Sequence, residues 1–280
     1  EELIDNYIQK NKKKRTILIV TIVVIAVLAG LSVYNKIIVP SSKYTTAVEY
    51  LEEGNYSEAY EIFDELGDYK DSVQQKNTAI EYLQQEQLKK ASVDDVVAFG
   101  RYYWIVLDRE ELSNGTVNLF MLAKDCVAEG NYNSVESKIA WEDSSVRKWL
   151  NSNFYNQFSE RQKELITLSN IQNVSYKWRF STWDYEMIDY GDTADYFFLL
   201  STEEVGDYLF NSEYRSAMYD GDDVWWWLRT PGKSKNCISY IWSGGEINDY
   251  GLQPDAADLY TMGIRPAMNL CILGKEKDDN

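Results

Sequence analysis

Three consecutive indoles, Trp225, Trp226 and Trp227, stand just ahead of Arg229. A stretch rich in aromatic and amide side chains follows them: Trp242, Asn248, Asp249, Tyr250, Gln253 and Tyr260. An indole couples a large apolar face to a polar edge, which suits ligands built the same way, such as sugar rings and peptides. Alternation along a strand sends Trp226 to one face and its two neighbours to the other. Either the strand is buried on both sides, or one face shows indole to a partner. Arg229 and Arg265 divide similarly, between binding a carboxylate and being buried against Asp and backbone carbonyls. The span from Gly232 to Met262 mixes aromatics with adaptable polar residues, as recognition loops do. Trp227, Arg229, Trp242, Asn248, Asp249 and Tyr250 are therefore the expected ligand-binding residues.

Catalytic and metal chemistry has less to work with. The chain contains no histidine, which removes Ser-His-Asp and Cys-His catalysis and every zinc site that relies on imidazole. Cys126, Cys237 and Cys271 are too few for a four-thiolate site and too widely spaced for a C-x-x-C motif. They read as small buried apolar residues, with Cys237 and Cys271 the pair to test for a disulfide. Asp189, Asp192 and Asp195, like Asp220, Asp222 and Asp223, lack the spacing of the calcium-binding loop and read as solvated acidic loops. The expectation is no catalytic residue, no metal ligand and no cofactor, with Ca²⁺ the one ion left to test. Two nearby carboxylates acting on a glycosidic bond form the enzymatic alternative.

These residues are placed by what precedes them. Lys10, Lys12, Lys13, Lys14 and Arg15 abut an uncharged run from Thr16 to Val33. As a helix the run is about 27 Å long, close to the ~30 Å hydrocarbon core of a bilayer. It reads as one transmembrane helix, residues 16–34, in contact with membrane lipid. The basic cluster keeps residues 1–15 in the cytoplasm and puts roughly 245 residues outside. A cleaved secretory signal ending near Val27-Leu28-Ala29 is the competing reading. Of the formal charge of −17, the first 34 residues carry five basic and three acidic side chains, which leaves −19 beyond them. An acidic outer region without a basic groove argues against nucleic-acid binding.

The outer part divides in two after a short polar linker, residues 35–43, around Pro40 to Ser42. Residues 44–91 are helical, and Ala47, Tyr50, Gly54, Tyr56, Ala59 and Phe63 fall at the spacing of a tetratricopeptide unit, which the segment resembles. Gly54 and Asn55 would make the turn, and Asp71 or Ser72 would cap a third helix reaching about Leu88. One and a half repeats make either a binding surface or a spacer. From Val93 the pattern alternates. Val96 to Gly100 and Tyr102 to Leu107 read as strands around a Gly100-Arg101 turn, and Thr116 to Ala123 as another. Helices are expected over Trp141 to Leu150, from Ser159 with Gln162 through Ile166, and from Ser201 or Thr202 through Leu209. Phe197 to Leu200, Val224 to Leu228, Cys237 to Trp242, Glu246 to Tyr250 and Ile264 to Leu270 read as strands. Strands at both ends with helices between them predict one α+β domain over residues 93–273, followed by a short tail, 274–280.

Five strings in this domain form a pattern: Phe99-Gly100-Arg101-Tyr-Tyr-Trp104-Ile-Val-Leu107, Trp141 with Ser145-Val-Arg147-Lys-Trp149-Leu-Asn151, Phe197-Phe-Leu-Leu-Ser201, Trp226-Trp-Leu-Arg229-Thr-Pro-Gly232, and Gly263-Ile-Arg265-Pro-Ala267. They resemble a bacterial domain family of unknown function, whose members occur on membrane-anchored or secreted proteins of anaerobic Gram-positive bacteria. A more distant similarity is to the C-type-lectin-like fold of formylglycine-generating enzymes and phage-type variable receptor proteins. That resemblance implies a lectin-like mixed domain. The enzymes of that fold bind copper through a nearby cysteine pair, which Cys237 lacks. The lectins bind sugar through calcium, and Gln253-Pro254-Asp255 matches one of their ligand triplets, but Ile247-Asn248-Asp249 precedes it instead of following. The resulting expectation is a membrane-anchored protein that recognises an extracellular glycan, peptide or protein through loops 232–262. A cell-wall glycan- or peptide-modifying enzyme and a membrane adaptor acting through the helical repeat are the alternatives.

Overall fold

The computed structural model describes residues 2–133, 140–179, 184–210, 212–233, 236–252 and 262–274. The chain forms two compact units, Glu1–Leu83 and Gln84–Asn280.

In the first unit, α1 (Glu2–Val33) carries the basic cluster and the apolar run on one helix, with no buried residue. It belongs to a helical stretch long and apolar enough to cross a membrane. The expected linker is helical instead. A π-turn, Tyr34–Ile38, leads directly into α2 (Val39–Glu53), and the Val39 N–H donates to the Tyr34 carbonyl. Pro40 supplies the reason. It has no N–H, and its ring crowds the carbonyl four residues back, so one wider turn carries the helix past it. α2 stops at Gly54, whose φ of 82° is the left-handed conformation that glycine adopts without penalty. α3 (Tyr56–Leu66) returns against α2, and Ala47, Ala59 and Phe63 are fully buried between Tyr44, Val48, Tyr50, Leu51, Ile62 and Leu66. Small residues at the crossing let the two backbones come close. α4 (Ser72–Lys90) follows, and Tyr82 stacks on Tyr56 at 4.4 Å.

The second unit is mixed helix and sheet. β1 (Val96–Phe99), β2 (Tyr102–Glu111) and β3 (Val117–Ala123) form an antiparallel meander. Gly100 makes the first turn at a φ of 62°, where a Cβ would also meet the Phe158 ring at 2.9 Å. Further strands are β4 (Ala128–Gly130), β5 (Ile166–Thr167), β6 (Ser169–Ile171), β7 (Val174–Arg179), β8 (Asp184–Asp189), β9 (Thr193–Asp195), β10 (Ala217–Tyr219), β11 (Asp222–Val224), β12 (Trp226–Pro231), β13 (Ile238–Ile241), β14 (Ile247–Leu252), β15 (Met262–Ile264) and β16 (Ala267–Ile272). One five-stranded sheet has the order β1-β2-β3-β16-β5 and the other β14-β13-β12-β15-β4. The chain passes from one sheet to the other four times, between β3 and β4, between β4 and β5, on the way from β5 to β12, and between β15 and β16. Pairs β6/β9, β7/β8 and β10/β11 complete the strands among the described residues.

Short helices span the section between the sheets. α5 (Ser145–Trp149) is capped by Ser144, α6 (Glu160–Leu165) by a Ser159/Gln162 box and α7 (Thr202–Tyr208) by a Ser201/Glu204 box; α8 is Ser212–Arg215. Each box satisfies helix-end N–H groups reciprocally. Two expectations are corrected. Trp141–Leu150 is not one helix, because Ser144 is extended and restarts the chain as a cap after a 3₁₀ turn, Trp141–Asp143; a π-turn, Leu150–Phe154, then follows α5. Phe197–Leu200 is buried but is not a strand. Only Phe198 bridges to Ala267, while the Leu199 and Leu200 carbonyls accept from the Arg229 side chain and backbone N–H.

Candidate recognition face and its surroundings

The residues of the five strings meet as internal ties. Arg229 is buried and forms two hydrogen bonds to Glu204, at 2.5 and 2.8 Å, and one to the Leu199 carbonyl at 2.8 Å. Glu204 also closes the cap of α7 through the Ser201 N–H. Arg265 lies fully buried between β15 and β16, where the chain changes sheet. It donates to the carbonyls of Ala123 and Lys124 at 2.8 Å each, and to Tyr214 at 3.0 Å, and its guanidinium lies over the Trp226 ring. Burial pulls its pKa down to about 10. Asp195 is fully buried and accepts from Trp141 Nε1 (2.8 Å), Arg147 Nε (2.6 Å) and Thr193 Oγ1 (2.7 Å). The Asn151 side chain bonds both ways to backbone, donating to the Phe197 carbonyl and accepting from the Tyr196 N–H. Groups so engaged hold the fold together, although Arg229 Nε is buried without a hydrogen-bond partner among the described residues.

The second sheet presents a different surface. Its register sets Trp227 beside Tyr240 and Tyr240 beside Asn248, while Trp226, Ile241 and Ile247 share the opposite face. Trp226 is core, and Trp227 is also buried, with its indole N–H donating to the Gly130 carbonyl. Toward the rim the aromatics open out. Trp225 is half-buried, stacks on Tyr240 at 5.7 Å and meets the half-buried Trp242 edge-on at 4.2 Å. Asn248 donates to the Tyr240 hydroxyl at 3.0 Å and accepts the Gly251 N–H. The result is a platform of two partly exposed indoles with an amide at its edge. Gly251 makes its backbone possible: φ is 83°, and a Cβ there would sit 2.6 Å from the Ile238 carbonyl oxygen.

On the other side of β14 is a cleft of about 390 Å³ lined by Ser175, Tyr176, Thr202, Glu203, Thr230, Pro231, Lys233, Ser239, Ile247 and Asp249. Ser239 is fully buried, and its hydroxyl has no hydrogen-bond partner among the described residues. Such a group ordinarily costs ~1–3 kcal/mol. Thr230 Oγ1 accepts the Thr202 N–H at 3.0 Å, and Lys233 pairs with Asp249 at the mouth. A second groove, about 410 Å³, lies on the first sheet, where Asp108, Glu110, Asn118, Phe120, Thr167, Asn269 and Cys271 line it.

The expected site residues therefore separate. Trp242 and Asn248 lie on the platform, whereas Tyr250, 68% exposed, has its ring under the Lys233 ammonium. Asp249 faces the cleft. Trp227 and Arg229, named among the expected ligand-binding residues, are buried and held by Gly130 and Glu204, which is the other of the two arrangements open to them, so their side chains are not presented to solvent. Gln253, Pro254, Asp255 and Tyr260 lie outside the described residues. Trp225, Tyr240 and Ser239 were missed as site residues. Two-residue alternation from Trp242 to Tyr240 was an available signal for Tyr240, whereas Ser239 becomes conspicuous only through packing. No cluster of potential metal ligands occurs among the described residues, and Asp195 of the first acidic group is spent on Trp141 and Arg147. Cys126, Cys237 and Cys271 form no disulfide with one another, so Cys237 and Cys271 are not a bonded pair. Burial pushes the Cys126 thiol up to about 12.

A family model described as a domain of unknown function, DUF6273, matches residues 116–272. No curated protein and no solved structure matches the chain.

Proposed function

We propose that this chain, which belongs to the DUF6273 family, is a single-pass membrane protein whose outer domain recognises an extracytoplasmic glycan. The observation that carries the reading is the Trp225–Trp242 pair: two indoles left partly open at the rim of a sheet whose other tryptophans are buried. A sugar ring offers an apolar face to indole and hydroxyls to an adjoining amide such as Asn248. Helix α1 is the membrane anchor, and Lys10 to Arg15 hold its N-terminal side in the cytoplasm. The α2–α3 hairpin is a tetratricopeptide-like spacer, and the outer domain is a lectin-like mixed fold from a bacterial, Gram-positive background.

The test is a glycan array probed with the full chain in detergent, alongside Trp242→Ala. Selective binding that the substitution removes supports the reading, and binding that survives it unchanged refutes it. A glycan hydrolase is the second reading. Asp108 and Glu110 lie two residues apart on β2 and line one groove, and this reading requires their carboxyl groups to lie about 5 to 9 Å apart. Release of reducing ends, lost in Asp108→Asn or Glu110→Gln, would favour it.

A further inference from the structure

We infer that the cleft around Ser239 is a second contact region, one that takes a neutral, polyhydroxylated group such as a single sugar residue. The inference deepens the glycan reading and rests on it for the ligand class, but it uses different residues. Its starting point is the Ser239 hydroxyl, which lines the cleft, is fully buried and has neither a donor nor an acceptor partner. Buried polar groups in folded proteins nearly always have partners, and an exception inside a cavity marks where a ligand supplies one. A hydroxyl both gives and takes a hydrogen bond, so a group that also does both matches it best. Thr230 adds to this. Its oxygen lines the same cleft, accepting the Thr202 N–H at 3.0 Å and lying 3.4 Å from the Thr202 hydroxyl.

The charges lining the cleft argue against an anionic ligand, because Glu203, which accepts from the Thr202 hydroxyl, adds a carboxylate to the Lys233–Asp249 pair. Lys233 and Asp249 already neutralise each other, and a carboxylate or ammonium entering between them would first have to separate that pair. A neutral ligand leaves it intact. Tyr176, Pro231 and Ile247 supply the apolar wall that a sugar's C–H face needs. The carbonyl or hydroxyl that reaches Ser239 would be discriminated strongly, because a ligand without it leaves the buried hydroxyl unanswered.

The full chain in lipid nanodiscs would be titrated with glucose, with N-acetylglucosamine and with the zwitterion glycine, at low and at high salt. Three proteins would be compared: the natural sequence, Ser239→Ala and Trp242→Ala. At least one of the sugars binds with a salt-independent affinity that falls about tenfold in Ser239→Ala. The same variant keeps or raises the melting temperature, which separates lost contact from lost fold. Sugar affinity unchanged in Ser239→Ala overturns the inference, as does binding of glycine in preference to sugars, or no binding of either sugar. Weakening by Trp242→Ala alone leaves the platform standing and removes the cleft. Weakening by Ser239→Ala alone leaves the cleft and removes the platform.

Discussion

The middle and the rim of the second sheet use the same residue types to opposite ends. In the middle, Trp226 lies under the Arg265 guanidinium, Trp227 bonds Gly130, and Arg229 is bound by Glu204 and the Leu199 carbonyl. At the rim, Trp225 and Trp242 pack against each other yet stay partly open, and Ser239 is buried with its hydroxyl unanswered. The family strings coincide mainly with these ties, while Thr230 and Pro231 of one string line the cleft and Arg229 Nε has no hydrogen-bond partner among the described residues. A signature in such a chain therefore marks what the fold needs, and recognition belongs where polar and aromatic groups remain unspent.

The largest effect expected from breaking this contrast is at a tie. Asp195→Ala leaves Arg147, Trp141 and Thr193 without their shared acceptor and should destabilise the outer domain by ~3–5 kcal/mol, read by chemical denaturation. Alkali acts on the same interior. The Cys126 thiol stays protonated in the fold to about pH 12, against 9.0 for an ordinary thiol. Its stabilising contribution is intact below pH 9 and is lost as the pH rises from there toward 12, by ~1.4 kcal/mol per pH unit. Cys126→Ala should flatten that slope, leaving the loss at higher pH from the buried Tyr132 hydroxyl, whose pKa burial also raises.

At the rim the balance reverses. Trp242→Ala should cost stability by less than ~1 kcal/mol but weaken glycan binding by about 30-fold, as truncation of an interface anchor does. The smallest effect is on stability in Ser239→Ala, a gain of up to ~1 kcal/mol from removing an unsatisfied buried hydroxyl, seen as a small rise in melting temperature. A loss of stability there would show that Ser239 belongs with the ties.

What the sequence made legible follows the range of the interactions. The boxes at Ser159/Gln162 and Ser201/Glu204, the Gly100 turn and the small residues Ala47 and Ala59 are local signals, and they stand where expected. The strands β7 and β8 were not foreseen, although Val174, Tyr176 and Trp178 alternate with Ser175, Lys177 and Arg179 without a break, so a local signal for β7 was available. The fate of Trp227 was beyond local reasoning, because its partner Gly130 is 97 positions away. Alternation correctly separated Trp226 from its neighbours but could not distinguish Trp227 from Trp225. That choice depends on β4, Tyr132 and the edge of the sheet.

The most direct test of glycan recognition is a titration of the full chain in nanodiscs with a soluble N-acetylglucosamine oligomer, followed by intrinsic tryptophan fluorescence. The account predicts a saturable change that disappears in Trp242→Ala and in Trp225→Ala while the fold is retained. A saturable change of equal size in those variants, or none in the natural sequence with this or any other oligosaccharide of an array, would contradict it.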